Sequence, residues 1–238
     1  MGDVRISGKL HAMIESSSLP FCEETVITKP DSKGPRAKGP RGQKRPFTFD
    51  ELVYLNFRLK ENVGKKRLGL RDLVLFSVEI DTLLRAENGL SLKVKDVMNS
   101  LGDVREFIDI EQCKSHRPVT CALTIVTQER LRQWISEQKL KPDDFLFPGK
   151  YEDTHLGRGQ LANIVKSWAK MLGKPPENYA THSLRRSKAA IAWGKHHDAE
   201  EVRILLGQQS IACVHAYLGV FREQALKTAL SIDPFSPS

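Results

Sequence analysis

Residues Thr181–Val220 read THSLRRSKAAIAWGKHHDAEEVRILLGQQSIACVHAYLGV. The stretch opens on His182-Ser183-Leu184-Arg185 and carries Tyr217 near its end. His182 and Arg185 stand three apart, so a helix over Ser183–Trp193 gives them a common face. Asp198–Leu206 reads as a second helix, with Asp198 as N-cap, Val202, Leu205 and Leu206 on one side and Gly207 as the stop. Ser210 can cap a further turn that presents Ile211, Val214 and Tyr217. An arginine, a histidine and a tyrosine gathered in this way suit chemistry on a phosphodiester. The arginine fork grips two phosphate oxygens, the imidazole moves a proton and the phenol attacks. Taken singly, Tyr217 reads as a half-buried core aromatic and His182 as a satisfied core histidine. It is the ordered set that singles them out.

Outward from this stretch, the chain has 238 residues, 40% of them hydrophobic, enough for one sizeable domain with a tail or for two small ones. Its net charge of +8 points to a polyanionic partner. Cys22, Cys113, Cys121 and Cys213 form no C-x-x-C pair and show no metal spacing, so they read as free thiols in a reducing compartment. His196 and His197 are adjacent and point apart on a helix, which leaves no metal pair there. No apolar run approaches the ~20 residues of a membrane span, and the start of the chain lacks a signal pattern. A cytoplasmic protein that contacts no membrane is the expectation. No cofactor is expected.

Residues 1–46 resist a packed reading. Lys29–Pro46, KPDSKGPRAKGPRGQKRP, holds seven basic residues and one acid among repeated Gly and Pro, and should be a disordered basic arm. As a linker it would be merely solvated. Given the charge of the whole chain, Lys33, Arg36, Lys38, Arg41, Lys44 and Arg45 are candidate DNA-phosphate contacts, with Arg186 from the central stretch. Globular sequence starts at Phe47, and Thr48-Phe49-Asp50-Glu51 is a capped helix start. Gly69–Leu84 predicts a second helix. Leu92–Val97, Val104–Ile110 and Pro118–Thr124 predict a small antiparallel three-stranded sheet. Leu123–Lys139 and Gln160–Met171 predict amphipathic helices. Arg222–Ile232 predicts a last short helix before a Pro/Ser tail, 233–238. The fold class is therefore α+β, mainly helical with a small sheet. No internal repeat is present.

His182-x-x-Arg185, Leu206-Gly207-x-x-Ser210 and Tyr217 ten residues after Gly207 together resemble the C-terminal signature of the tyrosine recombinases, or phage-type integrases. The wording is most similar to integrases of plasmids and mobile elements. The resemblance spans Phe47–Val220 and implies a tyrosine-recombinase catalytic domain over about 47–232. Within it, Arg85 matches the family's first catalytic arginine, just after a helix. Lys114, in the turn Lys114-Ser115-His116-Arg117-Pro118, matches the lysine that reaches the scissile phosphate. The Phe145–Pro148 run resembles the family's "LFP" segment. The resemblance implies site-specific cleavage and rejoining of double-stranded DNA through a 3′-phosphotyrosyl intermediate, without metal or ATP. Tyr217 would be the nucleophile, Arg85 and Arg185 the phosphate clamps, His182 a proton carrier and Lys114 the acid for the leaving 5′-oxygen.

Two positions depart from the family pattern. The acidic residue expected three after the first arginine is Asn88, and the His or Trp expected after Leu-Gly is Gln208, which donates a hydrogen bond but carries no charge. The separate core-binding domain of most integrases has no counterpart in residues 1–46. The chain thus reads as a minimal integrase, a truncated one or one served by an accessory protein, acting as a homo-oligomer on DNA. A type IB topoisomerase and a catalytically weak DNA-binding relative remain the alternatives.

Overall fold

The computed structural model describes residues 44–65, 68–113 and 117–218. Lys33, Arg36, Lys38, Arg41, Lys114, the helix expected over Arg222–Ile232 and the Pro/Ser tail lie outside the described residues.

Helix α1 (Phe49–Asn62) begins where the sequence marks it. The Thr48 hydroxyl accepts from the Glu51 N–H at 3.2 Å, and the Glu51 carboxylate accepts from the Thr48 N–H at 3.0 Å, a reciprocal cap. Leu52, Leu55 and Leu59 turn inward at helical spacing. Helix α2 (Gly69–Thr82) is buried on nearly all sides, as its run of Leu70, Leu73, Val74, Leu75, Phe76 and Val78 requires. It packs against α1, α5 (Ile125–Gln138) and α7 (Thr181–His196), and so forms the axis of the domain. Each such side chain removed from water contributes roughly 1.5–3 kcal/mol. Helix α6 (Arg158–Met171) adds Leu161, Val165 and Trp168 to this core, with the Trp168 ring edge-on to Phe76 at 5.4 Å. Phe47 stacks on Tyr179 at 4.5 Å and closes the other end.

The sheet differs from the expectation. It has two strands, β1 (Phe107–Glu111) and β2 (Pro118–Ala122), paired antiparallel with Ile108 opposite Cys121. Leu92–Val97 does not supply a third. Val94–Val97 forms the short helix α4 instead, which follows the short helix α3 (Ala86–Leu90). The Asp96 carboxylate accepts from the Lys93 N–H at 2.8 Å, and the Asp144 carbonyl accepts from the Val94 N–H at 3.0 Å. A side chain that caps its own backbone competes with a ladder, and here it prevails. Similarly, α5 starts at Ile125 rather than Leu123, because the Asp81 carboxylate holds both the N–H and the hydroxyl of its cap, Thr124, at 2.8 and 2.7 Å.

At the C-terminal end, α7, α8 (Ala199–Leu205) and α9 (Ile211–Leu218) enclose a small separate core of Leu83, Ala189, Val202, Leu206 and Val214. The Asp198 cap accepts from the N–H groups of Glu200 and Glu201. Gly207 takes φ +54° after α8. Among the described residues, no helix is long and apolar enough to cross a membrane.

Candidate active site

Helix α2 is capped by Leu83, a non-glycine residue in the left-handed region at φ 49°. This turn sends the Leu83 carbonyl toward α7 and places Arg85 at the start of α3. Arg185, one turn into α7 and 4% exposed, donates one guanidinium nitrogen to that carbonyl and the other to the Leu206 carbonyl at 2.5 Å. The fork is thus held from behind by two fixed backbone oxygens. Arg85, half-buried, donates to the side-chain oxygen of Gln112 just beyond β1. The Gln112 amide nitrogen reaches the Gly207 carbonyl at 3.5 Å.

Gly207 is required for two reasons. Its φ is positive, and a Cβ there would lie 2.4 Å from Val119 Cγ2 and 2.6 Å from Gln112 Nε2. This close approach brings α8 and the following loop onto the β-hairpin. A cleft of about 290 Å³ lies between them, lined by Arg85, Gln112, Arg117, Gln208 and Cys213 among others. Arg117 follows residues 114–116 in the sequence. The side-chain oxygen of Gln208 is buried and has no hydrogen-bond partner.

Tyr217 comes from α9, and its ring packs against the small core. Its hydroxyl is buried and makes no hydrogen bond of regular geometry. Burial pushes the phenol up to about 12; the guanidiniums of Arg185, Arg186 and Arg85 act in the opposite direction, Arg185 from close range. His182, at the first turn of α7, is exposed but crowded enough by protein to lose part of its hydration. That desolvation, followed by Arg185, Arg158, Arg85 and Arg186, lowers its pKa. The imidazole is therefore held in its neutral, proton-accepting form. Arg85, His182, Arg185 and Tyr217, from α3, α7 and α9, share one electropositive site. Gln208 stands at its edge, on the cleft with Arg85.

The candidate DNA contacts in the described region have protein partners. Lys44 donates to the Glu177 carbonyl at 2.7 Å, Arg45 lies 3.6 Å from the Glu51 carboxylate, and Arg186, 8% exposed, donates to the Lys44 carbonyl at 2.6 Å. Among the described residues, no group of three or more His, Cys, Asp or Glu side chains could hold a metal ion.

Two residues of the site were not singled out from sequence. Gln112 gives no signal there beyond its nearness to the Lys114 turn. Glu79 does: it is an acid set between Val78 and Ile80 in a helix rich in apolar residues. Only 2% exposed, its carboxyl lies over Gly89, where a Cβ would meet Glu79 Oε1 at 2.5 Å. Burial raises its pKa to about 8, against the opposing pull of Arg185.

The profile of the phage integrase family matches residues 47–224. The chain belongs to that family. It is 28% identical over 164 residues to tyrosine recombinase XerH of Helicobacter pylori, covering 68% of this chain and 44% of XerH. To tyrosine recombinase XerD of Rickettsia prowazekii it is 25% identical over 200 residues, covering 80% of this chain and 63% of XerD. The chain thus spans about half the length of these integrase-family relatives. A solved structure of XerH in a post-cleavage complex with a palindromic difH substrate superposes with a TM-score of 0.65 at 26% identity, over 80% of this chain and 54% of that one. A lambda integrase dimer bound to a COC′ core site shares the fold, with a TM-score of 0.55 at 17% identity over 79% of this chain and 64% of that one.

Proposed function

We infer that this integrase-family chain is a site-specific DNA recombinase that cleaves and rejoins strands through a 3′-phosphotyrosyl intermediate. The observation that carries the reading is that Arg85 and Arg185 both act on the buried hydroxyl of Tyr217 and on the imidazole of His182. The scissile phosphate would enter against Arg85 and Arg185, whose forks match its non-bridging oxygens and stay charged at any useful pH. Both guanidiniums are already oriented by carbonyl or amide oxygens, so little reorganisation accompanies charge build-up on phosphorus.

Tyr217 attacks phosphorus while its proton passes to a base, for which neutral His182 is suited. The bond from phosphorus to the 5′-oxygen breaks, and Lys114 donates the proton that this oxygen takes up. Reversal with a new 5′-hydroxyl rejoins the strand, so no ATP is consumed. These steps use no metal ion, so cleavage in EDTA should match cleavage without it. Double-stranded DNA is the substrate, bound by a homo-oligomer, with Lys114 and the basic arm adding phosphate contacts. The fold and the family membership support the reading.

Trapping on a nicked suicide duplex tests it, alongside a plasmid-relaxation assay. A recombinase gives a covalent adduct at its own site and leaves unrelated supercoiled DNA intact, whereas relaxation of any plasmid would make the chain a topoisomerase. A second reading, a DNA-binding relative without cleavage, is favoured by one observation, the uncharged Gln208 with its unpartnered oxygen. DNA binding without any adduct would establish it.

A further inference from the structure

Arg186 follows Arg185 on α7 and so projects about 100° away around the helix axis. At 8% exposure, this guanidinium is enclosed by protein. It makes two contacts that join distant parts of the chain. One nitrogen donates to the backbone carbonyl of Lys44 at 2.6 Å, and the guanidinium carbon stands 5.7 Å from the centre of the Tyr217 ring, within cation–π range.

The segment that supplies the carbonyl is fixed on the same face. Its Arg45 N–H donates to the Asn178 carbonyl at 2.8 Å, its Phe47 N–H donates to Ser187 Oγ at 2.8 Å, and the Phe47 ring stacks on Tyr179. Helix α9, by contrast, rests on the small core of five buried residues and is eight residues long. A short element on a small core has few contacts to define it, and its local stability is low. The enclosed Arg186 cation adds to that core a contact on the Tyr217 ring itself.

We propose that Arg186 is a positioning residue that clamps Tyr217 in its seat and ties that seat to residues Lys44–Phe47, where the basic arm joins the domain. The meaning of the clamp for catalysis rests on the recombinase reading; the clamp itself does not. The arm's attachment is thereby mechanically linked to the nucleophile, so a shift of Lys44–Phe47 moves the Tyr217 ring.

The test is fluorine NMR of the full chain labelled with fluorotyrosine. The chain has four tyrosines, and loss of one resonance in Tyr217→Phe assigns that residue. In Arg186→Met the Tyr217 resonance should move toward its position in the unfolded chain while Tyr54 and Tyr151 stay in place. Ser187→Ala removes the acceptor of the Phe47 N–H without touching Tyr217, and should shift the same resonance in the same direction by less. Arg186→Lys keeps one cation but cannot serve both the carbonyl and the ring, so it should give a partial shift. If Arg186→Met disturbs all four signals, Arg186→Lys decides.

An unmoved Tyr217 resonance in the Arg186 variants would overturn the clamp. A shift in them with none in Ser187→Ala would overturn the link to the arm. On a nicked duplex held at saturating protein, Arg186→Met should form adduct in a single turnover on the order of tenfold more slowly than the parent, since small misplacements of a reacting atom are costly. Equal adduct rates would contradict the positioning role. A parent without cleavage but with the Arg186-dependent shift would reject the recombinase reading and leave the clamp standing.

Discussion

Arg85 and Gln112 are joined side chain to side chain, the guanidinium donating to the amide oxygen, while the amide nitrogen of Gln112 turns to the carbonyl of Gly207. A neutral, 4%-exposed amide thus bridges the first arginine of the site and the loop that presents Gln208. The bridge orients Arg85 without neutralising it, which a carboxylate at the same place would do. It also couples the β-hairpin to the segment leading into α9, so the parts of the site from α3 and from α8–α9 are held in one frame.

Gln112→Ala should therefore release Arg85 and the Gly207 loop together. The expected outcome is near-parental DNA affinity with single-turnover adduct formation slowed on the order of 10–100-fold, because an arginine that must reorganise stabilises the transition state less. Filter binding and adduct kinetics on the same nicked duplex measure the two quantities separately.

Gly207→Ala should destabilise the fold by about 2 kcal/mol or more, since it combines a positive φ with an intruding Cβ. The atoms met are Val119 Cγ2 and Gln112 Nε2, so the hairpin must move to admit the methyl group. Urea unfolding of variant and parent measures the loss, and an unchanged midpoint would show that the hairpin yields freely.

Glu79→Gln should change the pH dependence of stability. The folded-state pKa of Glu79 is raised from 4.5 to about 8, so the folded chain keeps a proton that the unfolded chain releases. Stability from this group is whole below about 4.5 and declines as pH rises toward about 8. Glutamine removes the decline, so Glu79→Gln should gain on the parent between pH 5 and 8 by on the order of 3–5 kcal/mol. Unfolding curves at those two values test it, and parallel changes in both proteins would contradict it.

How far the sequence was legible follows from what kind of information each feature needs. Helices α1, α2 and α8 were readable because their caps and apolar spacing are local: Thr48 with Glu51, the run Leu70–Val78, Asp198 with Gly207. The third strand was misread because alternation in Leu92–Val97 says nothing of Asp96 capping Lys93 or of Asp144 meeting Val94. The family was legible as a resemblance carried by the tyrosine–arginine–histidine set, and the phage integrase profile over 47–224 matches that family. Gln112 was not legible, because a glutamine is ordinary in a turn and acquires its role only from an arginine 27 residues away. Nor could sequence place Arg186 indoors; arginine is usually exposed, and its enclosure depends on Lys44, 142 positions distant.

His182 should set the acidic limb of the cleavage profile. Desolvation and the surrounding arginines lower its pKa, so its neutral form persists to more acid pH than a free imidazole with a value of about 6.5. Adduct formation should hold down to below that pH and then fall, and His182→Gln should flatten the fall. Stability follows the same sign: protonation favours the unfolded chain, so the contribution is whole above the free value and is lost as pH falls from there through the lowered folded value. A cleavage profile whose acid limb lies above the free value would contradict this assignment.

The central claim is that the Tyr217 hydroxyl becomes covalently joined to DNA. The most direct measurement incubates parent and Tyr217→Phe with a nicked suicide duplex drawn from the flanks of the gene, followed by a denaturing gel and peptide mapping of the shifted band. The account predicts that both proteins bind the duplex, that only the parent gives an adduct, and that the modified peptide contains Tyr217. An adduct of undiminished yield in Tyr217→Phe, or one mapped to another residue, would contradict it.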